Sequence, residues 1–461
     1  MGLAFLTLVL TPHLLHTENK TPRILIIGGG YAGFYAAKWL EKMTRKGEID
    51  VTMIDPLPYM TYQPFLPEVA AGSIEPRHTV VSHRRHLKKT KLVTGRVSKI
   101  NHKSKKATVS VDGAKPYTIE YDHVVVTAGA ISRTFPIPGV AAVAIGMKNV
   151  EEAVEVRNKM FANLDRAAAL PAGPERDRLL TFVVVGGGFA GIETVAELRS
   201  AATYLLRYYP EIAFEDIQFH LVEAMGRVMP EVSEKRAEWV VDWMEKAGIT
   251  VHLNTQLLNC EKGLVKLSSD EEFESDIVIW TAGVAASPVA KFSDLPIDER
   301  GRIIADATLQ VTDDQGHVFD GAWTAGDVSR VPDLSGGGVG GFCVPNAQHA
   351  VRQGKKVAKN LTAVVRGDGP GQYKWATLGA VAGLGIGQGV LQVGRFSMAG
   401  PLAWLAHRGY HGLAMPMLER KIRVITGWVW NLLLRRDVVS LEAVRAPREF
   451  FASNAAKAGK K

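Results

Sequence analysis

Residues 24–33 read Ile-Leu-Ile-Ile-Gly-Gly-Gly-Tyr-Ala-Gly, and residues 182–191 read Phe-Val-Val-Val-Gly-Gly-Gly-Phe-Ala-Gly. Each is an apolar run of strand type followed by G-x-G-x-x-G: Gly28, Gly30 and Gly33, then Gly186, Gly188 and Gly191. The first glycine permits a tight turn, the second lets backbone approach a pyrophosphate, and the third lets the following helix pack on the strand. The phosphates then rest at a helix N-terminus, where free N–H groups and the helix dipole favour an anion. A chain with two such units can hold two dinucleotides at once.

The sequence around each fingerprint repeats as well. A helical stretch over residues 35–46 leads to a second strand, residues 51–55, ending in Asp55, 27 positions after Gly28. In the second copy residues 219–223 end in Glu223, 37 positions after Gly186, with an extended helix and loop expected over 204–215. A carboxylate at this place accepts hydrogen bonds from ribose hydroxyls. Alternating stretches of β type follow at 106–111 and 249–253. Each copy closes on a strand ending in Thr-Ala-Gly: Thr127, Ala128, Gly129 in the first, and Thr281, Ala282, Gly283 in the second. These closures lie 99 and 95 positions after the first glycine of their copy, so the two units are in register. A further strand, residues 319–327, ends in Gly-Asp at Asp327.

A length of 461 residues suits about three domains. Hydrophobic residues at 46% and charged residues at 22% are ordinary for a folded protein. The only cysteines, Cys260 and Cys343, are far apart, which excludes a disulfide scaffold, a cysteine-rich zinc site, an iron–sulfur cluster and a redox C-x-x-C pair. The net charge of +8 favours phosphate-rich partners, but no nucleic-acid motif is present. Basic residues cluster at 77–91 and 419–436 and at Lys457, Lys460 and Lys461. His83 and His86 lie in the first of these clusters, where neighbouring cations disfavour a metal, and they read as a solvated helix face; no metal site is expected. Residues 1–15 are apolar but lack a basic start and a small-residue cleavage site, so 1–20 read as an extension rather than a signal peptide. No apolar run reaches the ~18 residues that span a bilayer.

The doubled fingerprint with its late Gly-Asp resembles the paired-Rossmann flavoproteins of the glutathione-reductase type. The resemblance implies an α/β fold of two Rossmann-like domains, with FAD on the first fingerprint and a nicotinamide nucleotide on the second. Asp55 would then hold the adenosine ribose of FAD and Asp327 its ribityl-pyrophosphate side, with Thr127, Ala128 and Gly129 closing the site. Glu223 would hold the NADH ribose, with Gly283 closing that site. A 2′-phosphate would be repelled by Glu223, so NADH is expected over NADPH, although Arg227 lies nearby.

Residues 344–354 read Val-Pro-Asn-Ala-Gln-His-Ala-Val-Arg-Gln-Gly, after a glycine-rich loop at 336–341. Pro345 suits a first helical turn, and such a helix would aim its positive end at its target. Here the chain is similar to the type II NADH dehydrogenases, single-subunit NADH:quinone oxidoreductases that carry A-Q-x-A-x-Q-x-G near flavin and quinone. Ala347, Gln348, Ala350 and Gly354 match; Arg352 stands at the place of the second Gln, and Gln353 follows one position late. The resemblance covers residues 22–440, including 62–72. It implies that Ala347 and Gln348 lie at the flavin, Gln348 contacting flavin or quinone. It also implies that Glu193, which follows the second fingerprint, assists quinone protonation. The plainer reading of Glu193 is a first-turn acid complementing the helix dipole. His349 and both cysteines read as structural.

Two helices are expected at 401–415 and 417–436, the second carrying an apolar run at 424–434 flanked by Arg420, Lys421, Arg423, Arg435 and Arg436. Eleven residues make about 16 Å of helix, too short for a ~30 Å hydrocarbon core. Trp404, Trp428 and Trp430 with these cations suit a helix lying in the headgroup region. Removing residues 395–461 is expected to leave a soluble flavoprotein. The expected division is an extension (1–20), a discontinuous FAD-binding domain (21–145 and 296–380), an NADH-binding domain (146–295), a membrane-association region (381–445) and a tail (446–461). The expected activity is FAD-dependent, non-pumping NADH:quinone oxidoreduction on the cytoplasmic face of the cell membrane; a homodimer is compatible with it. A soluble NADH-dependent reductase for a protein partner, or a flavin-based redox sensor, are the alternatives.

Overall fold

The computed structural model describes residues 21–338, 340–434, 436, 438–441 and 446–458. The expected extension at 1–20, Arg435, Lys460 and Lys461 lie outside them.

Both apolar runs form the central strands of parallel sheets. Arg23–Ile27 pairs with Asp50–Asp55 on one side and His123–Val126 on the other, so Ile27 sits between Ile54 and Val126. Lys91–Thr94 extends this sheet at one edge and Val318–Thr324 at the other, followed by the antiparallel Gln310–Thr312. Thr181–Val185 repeats the arrangement: it lies between Gln218–Val222 and Ile277–Trp280, with Val185 between Val222 and Trp280. Ile249–His252 and the short Ile145–Gly146 flank that second sheet. All five residues of Thr181–Val185 are buried, which is why the strand reads as a continuous apolar run instead of an alternation.

Each central strand runs through its glycine turn into a helix, Tyr31–Met43 or Phe189–Leu205. The first begins four residues before the expected 35–46, because the turn itself ends at Gly30. The second ends at Leu205, and single 3-10 turns at Leu206–Tyr208 and Phe214–Asp216 replace the extended helix expected to follow. The helix Ala347–Val365 packs closely on Tyr31–Met43: a Cβ at Gly354 would come within 2.2 Å of the Ala32 carbonyl oxygen. Pro345 lies outside this helix, not in its first turn. Asn346 is the cap, its side-chain oxygen accepting from the His349 N–H at 2.8 Å.

The region beyond 380 is more than helices. Ala380–Gly383, Gly389–Val393 and Phe396–Ala399 form an antiparallel sheet that the sequence did not announce. The helix Pro401–Ala414 packs on it, so closely that a Cβ at Gly389 would approach the Trp404 backbone nitrogen to 2.8 Å. Leu418–Leu434 follows and packs against Pro401–Ala414. Among the described residues no helix is long and apolar enough to cross a membrane.

Candidate active site

The two glycine turns are built alike atom for atom. Gly28 and Gly186 take left-handed φ of +99° and +111°. A Cβ at Gly33 would lie 1.8 Å from the Gly28 carbonyl oxygen, and one at Gly191 1.8 Å from that of Gly186. Gly30 and Gly188 cap their helices without a side chain, and an added Cβ there meets nothing within 4 Å. Each turn thus offers bare backbone and helix N–H groups to open space, the cradle a pyrophosphate requires.

The acids repeat too. Asp55 Oδ2 accepts from Gly29 N at 2.5 Å and its Oδ1 from Leu57 N at 2.7 Å. Glu223 Oε2 accepts from Gly187 N at 2.5 Å and its Oε1 from Met225 N at 2.7 Å. Each carboxylate ties its turn to the loop after the second strand. Burial pushes the Asp55 carboxyl above its ordinary range, against the hydrogen bonds from Gly29 and Leu57. Arg227 donates to the Val232 carbonyl at 2.6 Å, which commits one of its terminal nitrogens to backbone.

The closing threonines act structurally. Thr127 Oγ1 donates to the Gly28 carbonyl at 2.8 Å, and Thr281 Oγ1 to the Val185 carbonyl at 2.8 Å. Ala128 stands directly against Gly28, and Gly129 and Gly283 turn the chain away with φ of +65° and +87°. Gly326 N donates to Gln353 Oε1 at 2.8 Å, so the glutamine displaced by one position from the expected motif braces the turn that presents Asp327. Burial raises the Asp327 carboxyl, while Lys148 acts to lower it. These groups fit a dinucleotide at each turn.

His83 is not on a solvated face. It is buried, its Nε2 lies 2.9 Å from the Gly29 carbonyl oxygen, and its ring stacks on Phe34. Desolvation pulls it down to about 4, so the ring is neutral and Nε2 donates to that carbonyl. His86 is half-buried, 3.4 Å from Glu419.

Glu193 is the fifth residue of its helix, past the first turn, and is buried. Its Oε1 accepts from Gly383 N at 2.9 Å and lies 3.2 Å from His407 Nε2. Gln348 donates to the Gly379 carbonyl at 3.2 Å and accepts from Leu378 N at 3.2 Å. The two candidate catalytic residues therefore flank one short strand, Ala380–Gly383. Arg352 reaches back to the Gln348 carbonyl at 2.9 Å and lies over the Trp375 ring. His349 is buried and packs between the Tyr373 and Thr377 hydroxyls, as a structural residue.

Sequence reasoning missed the groups that Pro401–Ala414 brings in. His411 Nδ1 lies 3.0 Å from the Tyr62 hydroxyl, and Arg408 pairs with the buried Glu68 at 3.1 Å. Glu68 also accepts from Trp428 Nε1 at 3.0 Å. The available signal was Glu197, one helical turn beyond Glu193 on the same face.

Cys260 and Cys343 are both buried, hydrogen-bonded to the carbonyls of Pro138 and Pro332, and desolvation pushes each thiol up to about 11. Neither is a ready thiolate at neutral pH.

A family model described as pyridine nucleotide-disulphide oxidoreductase matches residues 22–354. A probable NADH dehydrogenase of Dictyostelium discoideum is 27% identical over 432 residues, covering 92% of each chain. A type II NADH:quinone oxidoreductase of Mycobacterium tuberculosis is 29% identical over 423 residues, covering 88% of this chain and 86% of its own. In fold, the chain is similar to NDH2 from Plasmodium falciparum solved with NADH, with a TM-score of 0.82 at 17% identity over 91% of this chain and all of that one. With the duplicated turns, their acids and a family match over most of its length, the chain belongs to the pyridine nucleotide-disulphide oxidoreductase family.

Proposed function

We propose that this chain is an FAD-dependent NADH:quinone oxidoreductase that does not pump protons. The observation that carries the reading is the pair of matched dinucleotide turns in a chain whose two buried, separated cysteines rule out a dithiol relay. FAD, when bound, accepts a hydride from the nicotinamide and passes two electrons on. The protein positions and polarises. Gly28, Gly30, Gly33, Asp55 and Asp327 hold FAD; Gly186, Gly188, Gly191 and Glu223 hold NADH. Glu223, already neutralised in part by two backbone N–H groups, still opposes a 2′-phosphate, which favours NADH. Glu193 assists protonation of the quinone, and Gln348 fixes the strand that lies between them. The division into a discontinuous FAD-binding domain (21–145 and 296–380) and an inserted NADH-binding domain (146–295) follows from the same assignment.

The quinone arrives from a membrane surface. Leu405, Leu413, Leu418, Ile422, Trp430 and Leu433 on the two C-terminal helices are all exposed, and Lys421 and Arg423 lie among them. An apolar face bordered by cations suits the headgroup region of the cytoplasmic leaflet. Adding NADH anaerobically should bleach the flavin absorbance, and a quinone analogue should restore it. Restoration by an iron–sulfur protein and not by quinone would favour the soluble-reductase reading instead.

A further inference from the structure

The overall reaction, NADH + H⁺ + quinone → NAD⁺ + quinol, draws one proton beyond the hydride. That proton has to be delivered where the quinone is reduced. The molecule contains a buried charged cluster beside Glu193 that the reaction as described leaves unused. Glu197 comes one turn after Glu193 on Phe189–Leu205 and is buried, and its Oε2 has no hydrogen-bond partner among the described residues. The charged groups that face it come from every packed element: Glu68 from Leu66–Ala70, His407 and Arg408 from Pro401–Ala414, and Arg436 after Leu418–Leu434. His407 in turn lies 3.2 Å from Glu193 Oε1, with the His411 ring 4.6 Å from its own.

We propose that Glu197 is a proton-holding residue that resupplies Glu193 through His407 each time a quinone is reduced. The proposal rests on the reading of Glu193 above. In the transfer, the Glu193 carboxyl O–H breaks as its proton passes to a quinone oxygen. As Glu197 gives its proton to His407 Nδ1, the Nε2–H on the other side of the ring passes to Glu193, 3.2 Å away, so the ring stays neutral, and Glu197 takes a replacement proton from water. No electrons move in these steps. Desolvation, and next the nearby Glu68, push the Glu197 carboxyl up, to about 7, against Arg436, Arg408 and His407. A carboxyl with that affinity both holds and releases a proton at neutral pH. Glu197 does not touch the reacting atoms and acts as a positioning residue for the proton.

The test combines a spectroscopic and a kinetic readout on the FAD-loaded protein. The infrared carboxylic-acid band is titrated against pH, and quinone reoxidation of the NADH-reduced protein is timed, in wild type, Glu197→Gln, Glu197→Asp and Glu193→Gln. The expected result is a band titrating near pH 7 that Glu197→Gln removes. Glu197→Gln should also slow reoxidation roughly tenfold to a hundredfold and flatten its pH profile, with flavin reduction by NADH unaltered. Glu197→Asp should shift the band and recover part of the rate. A band untouched by either Glu197 variant overturns the proposal. So does a wild-type reoxidation profile in Glu197→Gln while Glu193→Gln is slow, and the reading of Glu193 then stands. Full reoxidation in Glu193→Gln overturns that reading and the relay together. If Glu197→Gln loses its flavin, Glu197→Asp decides alone: an unmoved band midpoint overturns the proposal.

Discussion

At Gly33 and Gly191 one methyl group would break a turn proposed to hold a nucleotide. Either Cβ would drive into a backbone oxygen 1.8 Å away, so the helix must lift from its strand. Gly191→Ala should weaken NADH binding by more than about tenfold, or more than ~1.4 kcal/mol, while the flavin stays bound. Fluorescence titration with NADH beside the flavin absorbance checks this. The glycines and acids were legible in sequence because they act on neighbours within one turn and one strand. Glu193 was legible only as a position, since its partners Gly383 and His407 come from 190 and 214 residues away. His83 was misread because its sequence neighbours are cations, while its contacts in space are Phe34 and the Gly29 carbonyl. Its folded value of about 4 lies below the ordinary 6.5, so the neutral ring contributes stability fully present above pH 6.5. That contribution is lost as pH falls toward 4, on the order of 3 kcal/mol. Urea unfolding at pH 7 and pH 4.5 should therefore show a smaller acid loss in His83→Gln than in the wild type, starting from a lower stability at pH 7.

Among the elements, those tied to the repeated glycine turn were readable, and the small C-terminal sheet was not. Thr181–Val185 and Phe189–Leu205 follow from an apolar run and a glycine turn. Ala380–Gly383, Gly389–Val393 and Phe396–Ala399 are brief, rich in glycine and alanine, and fixed by packing under Pro401–Ala414. That packing also changes how the membrane face is best tested. Removing residues 395–461 would strip Arg408 from the buried Glu68 and His407 from Glu193, leaving costly unpaired charge. Replacing exposed side chains is cleaner. Leu413→Gln, Leu418→Gln and Ile422→Gln together should abolish flotation with anionic vesicles and leave the flavin content as in the wild type. At roughly 1.5–3 kcal/mol per inserted apolar side chain, three replacements remove most of a reversible attachment. Unchanged flotation would count against this face.

For the whole molecule, the duplication is the organising fact. Two copies of one turn, each with its acid, are the proposed seats of two nucleotides, and Glu193 and Gln348 hold opposite ends of the strand Ala380–Gly383. The sequence carried the two donors' sites plainly, because duplication leaves a repeated pattern. The proposed acceptor site is faint in the sequence, because Leu66–Ala70, Phe189–Leu205 and Pro401–Ala414, whose side chains meet there, share no local motif. The most direct test of electron delivery to quinone is stopped-flow reoxidation of the NADH-reduced protein, with menaquinone or ubiquinone analogues in anionic vesicles and, separately, with a soluble iron–sulfur protein. Delivery to a membrane quinone predicts fast, saturable reoxidation by the vesicles and little by the protein acceptor. Reoxidation by the protein acceptor alone would contradict it.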